Sequence, residues 1–448
     1  MLRLALPLVM AELGWMFMGV VDTIMVGHLP RPAVTISAVA IGQVLYNTIG
    51  FGIGGVLLGL DTYMSQAHGA GDWDAANRWL LHGIVLSLAL SVVLMSIVWI
   101  GPVAMVRLPA DREVIRQAIA FLNVLNWGTV PLFLYLVFRR YLQAFNHVRP
   151  IAAAVVSANL VNAGLDWLLL FGHKWEIAGH VLAIKAYGVV GSAVSTALAR
   201  VYLAAFVGAA VWWVDRQHGY GVTRAERTLD WGRLTRLIKL GAPIGGQIFV
   251  EIAVFAAVTA LIGTLGPVPL AGHEIALNCV SFTFMVPFAV SAAGTVRVGQ
   301  AVGRDSASEA RASGWAAILL GAGFMLCMAL VLATVPVTIA RWFTHDAAVV
   351  GAAVPLLIVG GAFQFFDGVQ VTATGVLRGV GITKPGLAAH LIGYWVIGLP
   401  VGLWLGFARK WGAAGLWVGL ALGLMAAAAG LAAVWIRTLR RGIGVRVT

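Results

Sequence analysis

The chain has 448 residues and is poor in charge and in cysteine. Asp, Glu, Lys and Arg make up only 11% of it, hydrophobic residues make up 60%, and the mean hydropathy is +0.91. A soluble domain could not bury that much apolar surface, so this class of protein is excluded. The two cysteines, Cys279 and Cys327, both fall in apolar segments, so we expect no structural disulfide.

The sequence also lacks the usual signatures of catalysis and nucleotide binding. There is no P-loop, so ATP is not the energy source in this chain. The segment "GFGIGG" at 50–55 has the spacing G-x-G-x-x-G, but it lies in an apolar run without a preceding strand, which favours helix packing. The segment "HEIAL" at 273–277 lacks the second histidine of a zinc-protease motif. We therefore expect neither an enzyme nor a cofactor.

Long apolar runs take the place of these motifs. A helix needs about 20 apolar residues to cross a bilayer, and the sequence contains twelve such runs. They cover residues 4–27, 34–60, 79–101, 117–138, 150–172, 186–214, 236–263, 270–297, 314–340, 350–376, 386–408 and 412–436. These runs are much longer than the alternating strands of a membrane barrel. The sequence therefore predicts an all-α polytopic membrane protein without spanning strands.

The positive charges indicate the orientation in the membrane. If the N-terminus is cytoplasmic, most Lys and Arg residues fall in cytoplasmic loops, as the positive-inside rule requires. We therefore expect both termini in the cytoplasm and the protein in the inner (plasma) membrane, with no nucleic-acid partner despite a net charge of +12. The basic segment between spans 6 and 7 is interpreted as an orientation signal, with contact to anionic lipids as a minor alternative.

The sequence repeats itself on either side of that basic segment. Pro7 aligns with Pro243, "SQAHGAGD" at 65–72 with "GQAVGRDS" at 299–306, and "RYLQAFNHVRP" at 140–150 with "GVLRGVGITKP" at 375–385. Six spans per repeat give both halves the same orientation, as in transporters built from two parallel bundles. We predict a six-helix lobe at 1–214, a basic linker at 215–235, and a second six-helix lobe with a short basic tail at 236–448.

Acidic residues in the spans need an explanation, because a charge at mid-bilayer costs about 2.5–3.5 kcal/mol. Arg200 is the only basic residue that we place in the interior of a span, so it can pair with at most one or two acids. The others must line a wet cavity, bind a cation or carry a proton. The five acids that we place in spans are Glu12, Asp22, Asp166, Glu251 and Asp367.

One group of polar residues falls in the N-terminal half. At about 1.5 Å per residue, Asp22 and Asp166 lie about 27 Å and about 24 Å from the cytoplasmic end of their spans, so they can meet. Asn162 shares a face with Asp166, while Thr196 and Arg200 share a face of span 6. Two carboxyls, an amide and a hydroxyl suit a proton or a hard cation. The alternative is a structural bridge between an aspartate and Arg200.

A second group falls in the C-terminal half. Glu251 and Asp367 lie near mid-membrane, and Gln247, Asn278 and Gln364 could share their cavity. We predict that these two acids bind substrate, the coupling cation or both. Neither acid is repeated in the other half, since Glu251 aligns with Trp15 and Asp367 with Leu132, so each half is expected to be specialised.

Three other ionisable residues in the spans are given no functional role. We interpret Glu12 as structural, because it falls near the inner end of span 1. His82 and His390 are lone histidines in apolar segments, and we expect each to be satisfied by a hydrogen bond.

Three segments resemble the multidrug and toxic compound extrusion (MATE) family, and more closely its NorM-like branch. They are "ALPLVMAELGWMFMGVVDTIMVGHL", "AGHEIALNCVSFTFMVPFAVSAAGTVRVGQAVG" and "FQFFDGVQVTATGVLRGVGITKP". The resemblance extends over nearly the whole chain. It implies two six-helix lobes around a V-shaped cavity and export of organic, mostly cationic compounds in exchange for protons or sodium. We expect a monomer that contacts membrane lipids and small organic substrates.

The resemblance also assigns roles to particular residues. The positions that match acids of the family, with their polar companions, are Asp22, Asn162, Asp166, Thr196, Glu251 and Asp367. It thereby implies possible sodium sites at Asp22 and Asp166 or at Glu251 and Asp367. Some sodium-coupled relatives have a tyrosine one turn before the last of these acids, where this chain has Phe363. Because phenylalanine has no hydroxyl, we prefer the proton as the coupling ion.

The main alternative function is a flippase for lipid-linked precursors, from the same wider superfamily. Such proteins need a basic cavity for their anionic substrates. The excess of acids over Arg200 in the predicted spans favours export of cations instead.

Overall fold

The computed structural model describes residues 1–105, 111–177, 180–226 and 228–442. Twelve helices in these ranges are long and apolar enough to cross a membrane, which confirms the predicted fold class. In chain order, α1 to α12 are Leu2–Gly27, Pro32–Gly69, Trp73–Val103, Arg112–Ala144, Arg149–Phe171, Val189–His218, Trp231–Gly263, Pro267–Gly303, Ala307–Thr334, Ala347–Val380, Lys384–Ala408 and Gly412–Arg441.

Local sequence signals mark several helix ends. Proline occupies the first turn of α2 and α8, where its missing N–H has no helical partner to lose. The Asp346 carboxylate accepts a hydrogen bond of 2.8 Å from Ala348 N and caps α10. At the other end of α10, Gly381 has a φ of 93°, which favours glycine.

Three of the spanning helices contain turns that are not α-helical. A 3₁₀ segment covers Gly55–Gly59 in α2, and another covers Asn126–Gly128 in α4. Helix α11 contains two π-helical segments, Leu391–Gly398 and Trp404–Ala408. π-helical turns are rare and often occur at functional sites.

The loop between α5 and α6 forms a short hairpin. Strand β1, His173–Ile177, pairs antiparallel with β2, His180–Ile184. The two strands lie outside the spanning helices. Their backbone groups form hydrogen bonds from one strand to the other instead of within a helix. A short helix, Pro336–Phe343, lies between α9 and α10.

The chain divides into two compact units. The N-terminal unit comprises Met10–Leu60 and the chain from Trp73 to Leu234. The C-terminal unit comprises Met1–Val9, Asp61–Asp72 and the chain from Thr235 on, and its core includes Phe363, Tyr394 and Trp417. The last turns of α2 thus pack with the second half of the sequence. The division into lobes at residues 214 and 236 stays a prediction.

Within the C-terminal unit, the repeated motifs at 65–72 and 299–306 pack against each other. A Cβ atom on Gly69 would overlap the carbonyl oxygen of Gln300, and one on Gly303 would overlap the carbonyl oxygen of Gln66. These two contacts are related by the repeat, since Gln66 aligns with Gln300 and Gly69 with Gly303. The ends of α2 and α8 therefore cross with their backbones in contact, which only glycine allows.

We expect Gly303→Ala to destabilise the protein by about 1–3 kcal/mol, because the new methyl group has no space at this crossing. Thermal unfolding in detergent measures this change. Gly323→Ala is the matched control, because nothing lies within 4 Å of a Cβ at that helical glycine. Helix propensity favours alanine at both positions, so equal stability of the two variants would contradict the crossing contact.

Candidate functional site

The N-terminal unit contains a buried pair of carboxyl groups. Asp22 on α1 is 2% exposed and Asp166 on α5 is fully buried. The two side chains lie within hydrogen-bonding reach of each other. Asp22 Oδ1 and Asp166 Oδ2 receive no hydrogen bond from a donor among the described residues. Two carboxyls this close resist ionising together, so the arrangement can hold one proton between them.

Hydroxyl groups on α6 contact both acids. Thr196 Oγ1 lies 3.3 Å from Asp22 Oδ2, and Ser195 Oγ donates to Asp166 Oδ1. Both hydroxyls also lie 2.9 Å from the carbonyl oxygen of Ser192. A hydroxyl that donates to Ser192 can accept from a protonated carboxyl, whereas one that donates to a carboxylate stabilises the ionised form. The α6 hydroxyls can therefore serve either protonation state.

Asn162 and Arg200 complete the surroundings of this pair. Asn162 is fully buried on α5 beside Asp22, although neither of its amide atoms has a hydrogen bond of good geometry in the described part of the chain. Arg200 Nη1 donates to the Tyr46 hydroxyl at 2.9 Å, and its guanidinium lies 4.7 Å from the centroid of that ring. No described salt bridge joins Arg200 to Asp22 or Asp166. Arg200 is held by an aromatic side chain on α2 instead.

Glu12 has a partner that the sequence analysis missed. Its carboxylate forms a buried ion pair with Arg139, and the hydroxyl of Tyr135 lies 3.5 Å from Arg139 Nη1. We had ended span 4 at residue 138, whereas α4 continues to Ala144 and buries both Arg139 and Arg140. Arg200 is therefore not the only basic residue inside a spanning helix, contrary to the expectation from sequence.

The count of ionisable groups was incomplete in the C-terminal half as well. Arg378 is buried near the end of α10, which continues to Val380. Glu274 lies on α8 as a further acid within a spanning helix. Glu274 falls within the predicted span 270–297 and belongs with the five acids named for the spans, whereas Arg378 lies just beyond the predicted end of span 10 at residue 376.

The C-terminal unit contains the second pair of acids. Glu251 on α7 has a side chain that is 20% exposed, and Asp367 on α10 is buried. Their carboxyl groups are close enough to interact electrostatically. No hydrogen bond or ion pair to Asp367 is present among the described residues. This pair therefore lacks the hydroxyl donors that surround the acids of the N-terminal unit.

His390 on α11 joins the second site, although the sequence analysis gave it no functional role. Its ring is fully buried, and Nε2 lies 3.5 Å from Glu251 Oε2. Two amide nitrogens approach the same ring atom, Gln370 Nε2 at 2.5 Å and Gln247 Nε2 at 3.4 Å. His82, by contrast, accepts a hydrogen bond of 2.9 Å from Asp230 N in the basic linker.

The remaining predicted companions of Glu251 and Asp367 lie in other surroundings. Gln364 donates to Thr283 Oγ1 at 2.7 Å, and Asn278 is exposed and donates to the carbonyl oxygen of Glu274. Phe363 packs on Trp417 in the core, with ring centroids 5.8 Å apart. No described hydrogen bond joins any of the three to either acid. Within the described ranges, no cluster of three His, Cys, Asp or Glu side chains has metal-binding geometry.

We expect Glu12→Gln to destabilise the protein by roughly 3–5 kcal/mol, because it leaves the buried Arg139 guanidinium without its counter-ion. Thermal unfolding in detergent measures the loss. The double variant Glu12→Gln, Arg139→Gln should recover much of it, since it removes both charges. Additive losses in the double variant would show that the pair is not coupled.

A protein-family comparison supports the internal repeat. The family model described as MatE matches the chain twice, at residues 7–168 and at 243–404. The matches have the same length and begin at the paired residues Pro7 and Pro243, which confirms the repeat found in the sequence.

Relatives and solved structures cover nearly the whole chain. It is 31% identical to "Probable multidrug resistance protein NorM" of Mesorhizobium japonicum over 97% of this chain and 93% of that protein. It is 33% identical to "Multidrug resistance protein MdtK" of Cronobacter sakazakii, with 96% and 93% covered. The crystal structure of the eukaryotic MATE transporter AtDTX14 has the same fold, with a TM-score of 0.87 at 20% identity and 100% and 98% covered. The chain therefore belongs to the MatE family, within the group of bacterial NorM and MdtK proteins.

Proposed function

We propose that this protein is a secondary active antiporter that exports organic, mostly cationic compounds in exchange for protons. The names of its relatives support multidrug export. The observation that carries the proposal is a carboxyl pair in each unit, Asp22 with Asp166 and Glu251 with Asp367, with no described salt bridge from Lys or Arg to any of the four acids. Such groups can exchange a proton for an organic cation, because both neutralise the same negative charge.

The proton is our choice of coupling ion, with sodium as the alternative. A carboxyl pair holds a proton without further ligands, whereas sodium needs several oxygen atoms around it. Phe363 offers no oxygen, and its ring packs in the core against Trp417. We further propose a monomer in the inner membrane, surrounded by lipid, with both termini in the cytoplasm.

In the proposed cycle, the inward proton gradient drives the export of drug. A proton from outside neutralises the Asp22–Asp166 pair, and the α6 hydroxyls reorient around the protonated carboxyl. Loss of this charge allows α1 to repack and lowers the affinity for the drug. Coupling of this kind requires only that the two protonation states favour different conformations.

A flippase is a poorer fit to these residues. Its anionic substrates would meet uncompensated acids at both pairs, while the buried Arg139 is occupied by Glu12 and Arg200 contacts Tyr46. The relatives named here are drug-resistance proteins rather than flippases.

We expect the double variant Glu251→Gln, Asp367→Asn to abolish ethidium efflux from proteoliposomes, because neither member of the pair then has a carboxylate to bind a cation. Efflux is measured with proton and sodium gradients imposed separately. Glu274→Gln removes an acid on α8 outside the pair and is the control that should transport like the unmodified protein. Full transport by the double variant would refute the role of the pair. Efflux driven only by the sodium gradient would show that the coupling ion is sodium and not the proton.

We expect Asp22→Asn to fold normally and to lose pH-dependent drug release, because the amide imitates the protonated acid. The measurement is drug release over a range of pH values, with thermal unfolding as the check on folding. If Asp22 instead neutralises Arg200 structurally, Asp22→Asn destabilises the protein and adding Arg200→Gln rescues both stability and transport. That rescue would exclude a proton-carrying role for Asp22.

A further inference from the structure

The polar cluster around His390 is almost completely buried in the C-terminal unit. His390, Gln370 and Tyr394 are each 0–1% exposed. His390 is the last residue of the first α-helical segment of α11, directly before the π-helical segment Leu391–Gly398. The π-segment changes the direction in which side chains leave the helix, as is common where a helix supplies a functional group. A buried imidazole at this position requires partners, and the structure provides them on α7 and α10.

The hydrogen bonds of the His390 ring define its tautomer. Nδ1 lies 2.8 Å from the carbonyl oxygen of Gly386, which can only accept, so Nδ1 carries a hydrogen. Nε2 faces the amide nitrogens of Gln370 and Gln247, which can only donate. The ring is therefore neutral and Nε2 presents a lone pair to its neighbours.

Glu251 faces that same lone pair. Nε2 has a single lone pair, so a protonated Glu251 carboxyl, whose Oε2 lies 3.5 Å away, donates to the ring in place of the Gln370 amide, whereas a carboxylate would direct negative charge at that lone pair. The other ionisable groups near this contact are Asp367 on α10 and Tyr394 on α11, and neither supplies positive charge. Helix α12, which packs on α11, has charged residues only near its end, namely Arg437, Arg440 and Arg441.

We propose that His390 makes the Glu251 site selective for a proton, by accepting a hydrogen bond from the protonated Glu251 carboxyl. The proton remains on Oε2, and the bond joins α7 to α11 only while it is there. A sodium ion gains no ligand from this contact, because the atom that faces Oε2 is an imidazole nitrogen, whereas hard cations prefer oxygen. After deprotonation the contact is lost and the carboxylate is free to bind a cationic substrate. This inference rests on the proposed antiport function.

The test compares His390→Leu with His390→Gln in proteoliposomes. Leucine removes the acceptor, so ethidium efflux driven by a pH gradient should fall about tenfold and depend less on pH. Glutamine has an amide oxygen that can reach the position of Nε2, so it should restore most of the rate and the pH profile. His273→Leu is the control for loss of a buried histidine, because the hydrogen-bond partners of His273 among the described residues are Thr259 and Trp417. It should lower thermal stability without changing the pH profile.

A double-variant cycle separates this role from a structural one. In Glu251→Gln the amide donates to His390 at every pH, and this variant is followed by thermal unfolding because it lacks the carboxylate that binds substrate. Adding His390→Leu in this background should not change the pH dependence of its thermal stability. An unchanged pH profile in His390→Leu would overturn the inference, and so would the same change in His273→Leu. If the unmodified protein shows no gradient-driven efflux, the proposed antiport itself fails. If the unmodified protein transports normally but His390→Leu and His273→Leu have the same pH profile of efflux, the antiport stands and the proposed role of His390 is wrong.

Discussion

The cost of an uncompensated charge in the bilayer is the constraint on which the arrangement of polar residues depends. At about 2.5–3.5 kcal/mol for each charge, every buried ionisable group needs a partner or a reason to remain exchangeable. Glu12 and Arg139 neutralise each other, and Arg200 donates a hydrogen bond to the Tyr46 hydroxyl. The carboxyl pairs have no such ion pair among the described residues, although Arg200 is close enough to Asp22 to interact with it electrostatically. A charge that no basic side chain cancels is one that a proton or a bound cation can cancel reversibly.

The repeat supplies the scaffold, whereas the chemistry differs between its halves. The prolines of α1 and α7 and the glycines where α2 crosses α8 recur at equivalent positions. The acids do not, and their surroundings differ as well. Hydroxyl groups contact Asp22 and Asp166, while Glu251 faces an imidazole that two amides also approach. Duplication thus preserved the residues that pack helices, and the polar residues diverged to give two unlike sites.

Glycine makes the crossing of α2 and α8 possible, and the same chemistry recurs where α11 meets α12. A Cβ on Gly393 would overlap the carbonyl oxygen of Gly423, which places the π-helical segment after His390 in close backbone contact with α12. Close packing in a bilayer depends on small residues, because lipid chains are as apolar as leucine side chains. The position of His390 is therefore determined on one side by glycine packing and on the other by Glu251 and Gln370.

The sequence by itself determined the twelve spans, the repeat and the family, because hydropathy and motif spacing can be read along the chain without knowing how the helices pack. It also singled out Asp22, Asp166, Glu251 and Asp367, since an acid in an apolar run is conspicuous. Only the tertiary structure decided which groups meet. It paired Glu12 with Arg139, brought Ser195 to Asp166 and placed His390 against Glu251. These partners lie on different helices, and their contacts depend on how the helices rotate and cross, which no periodicity within one helix specifies.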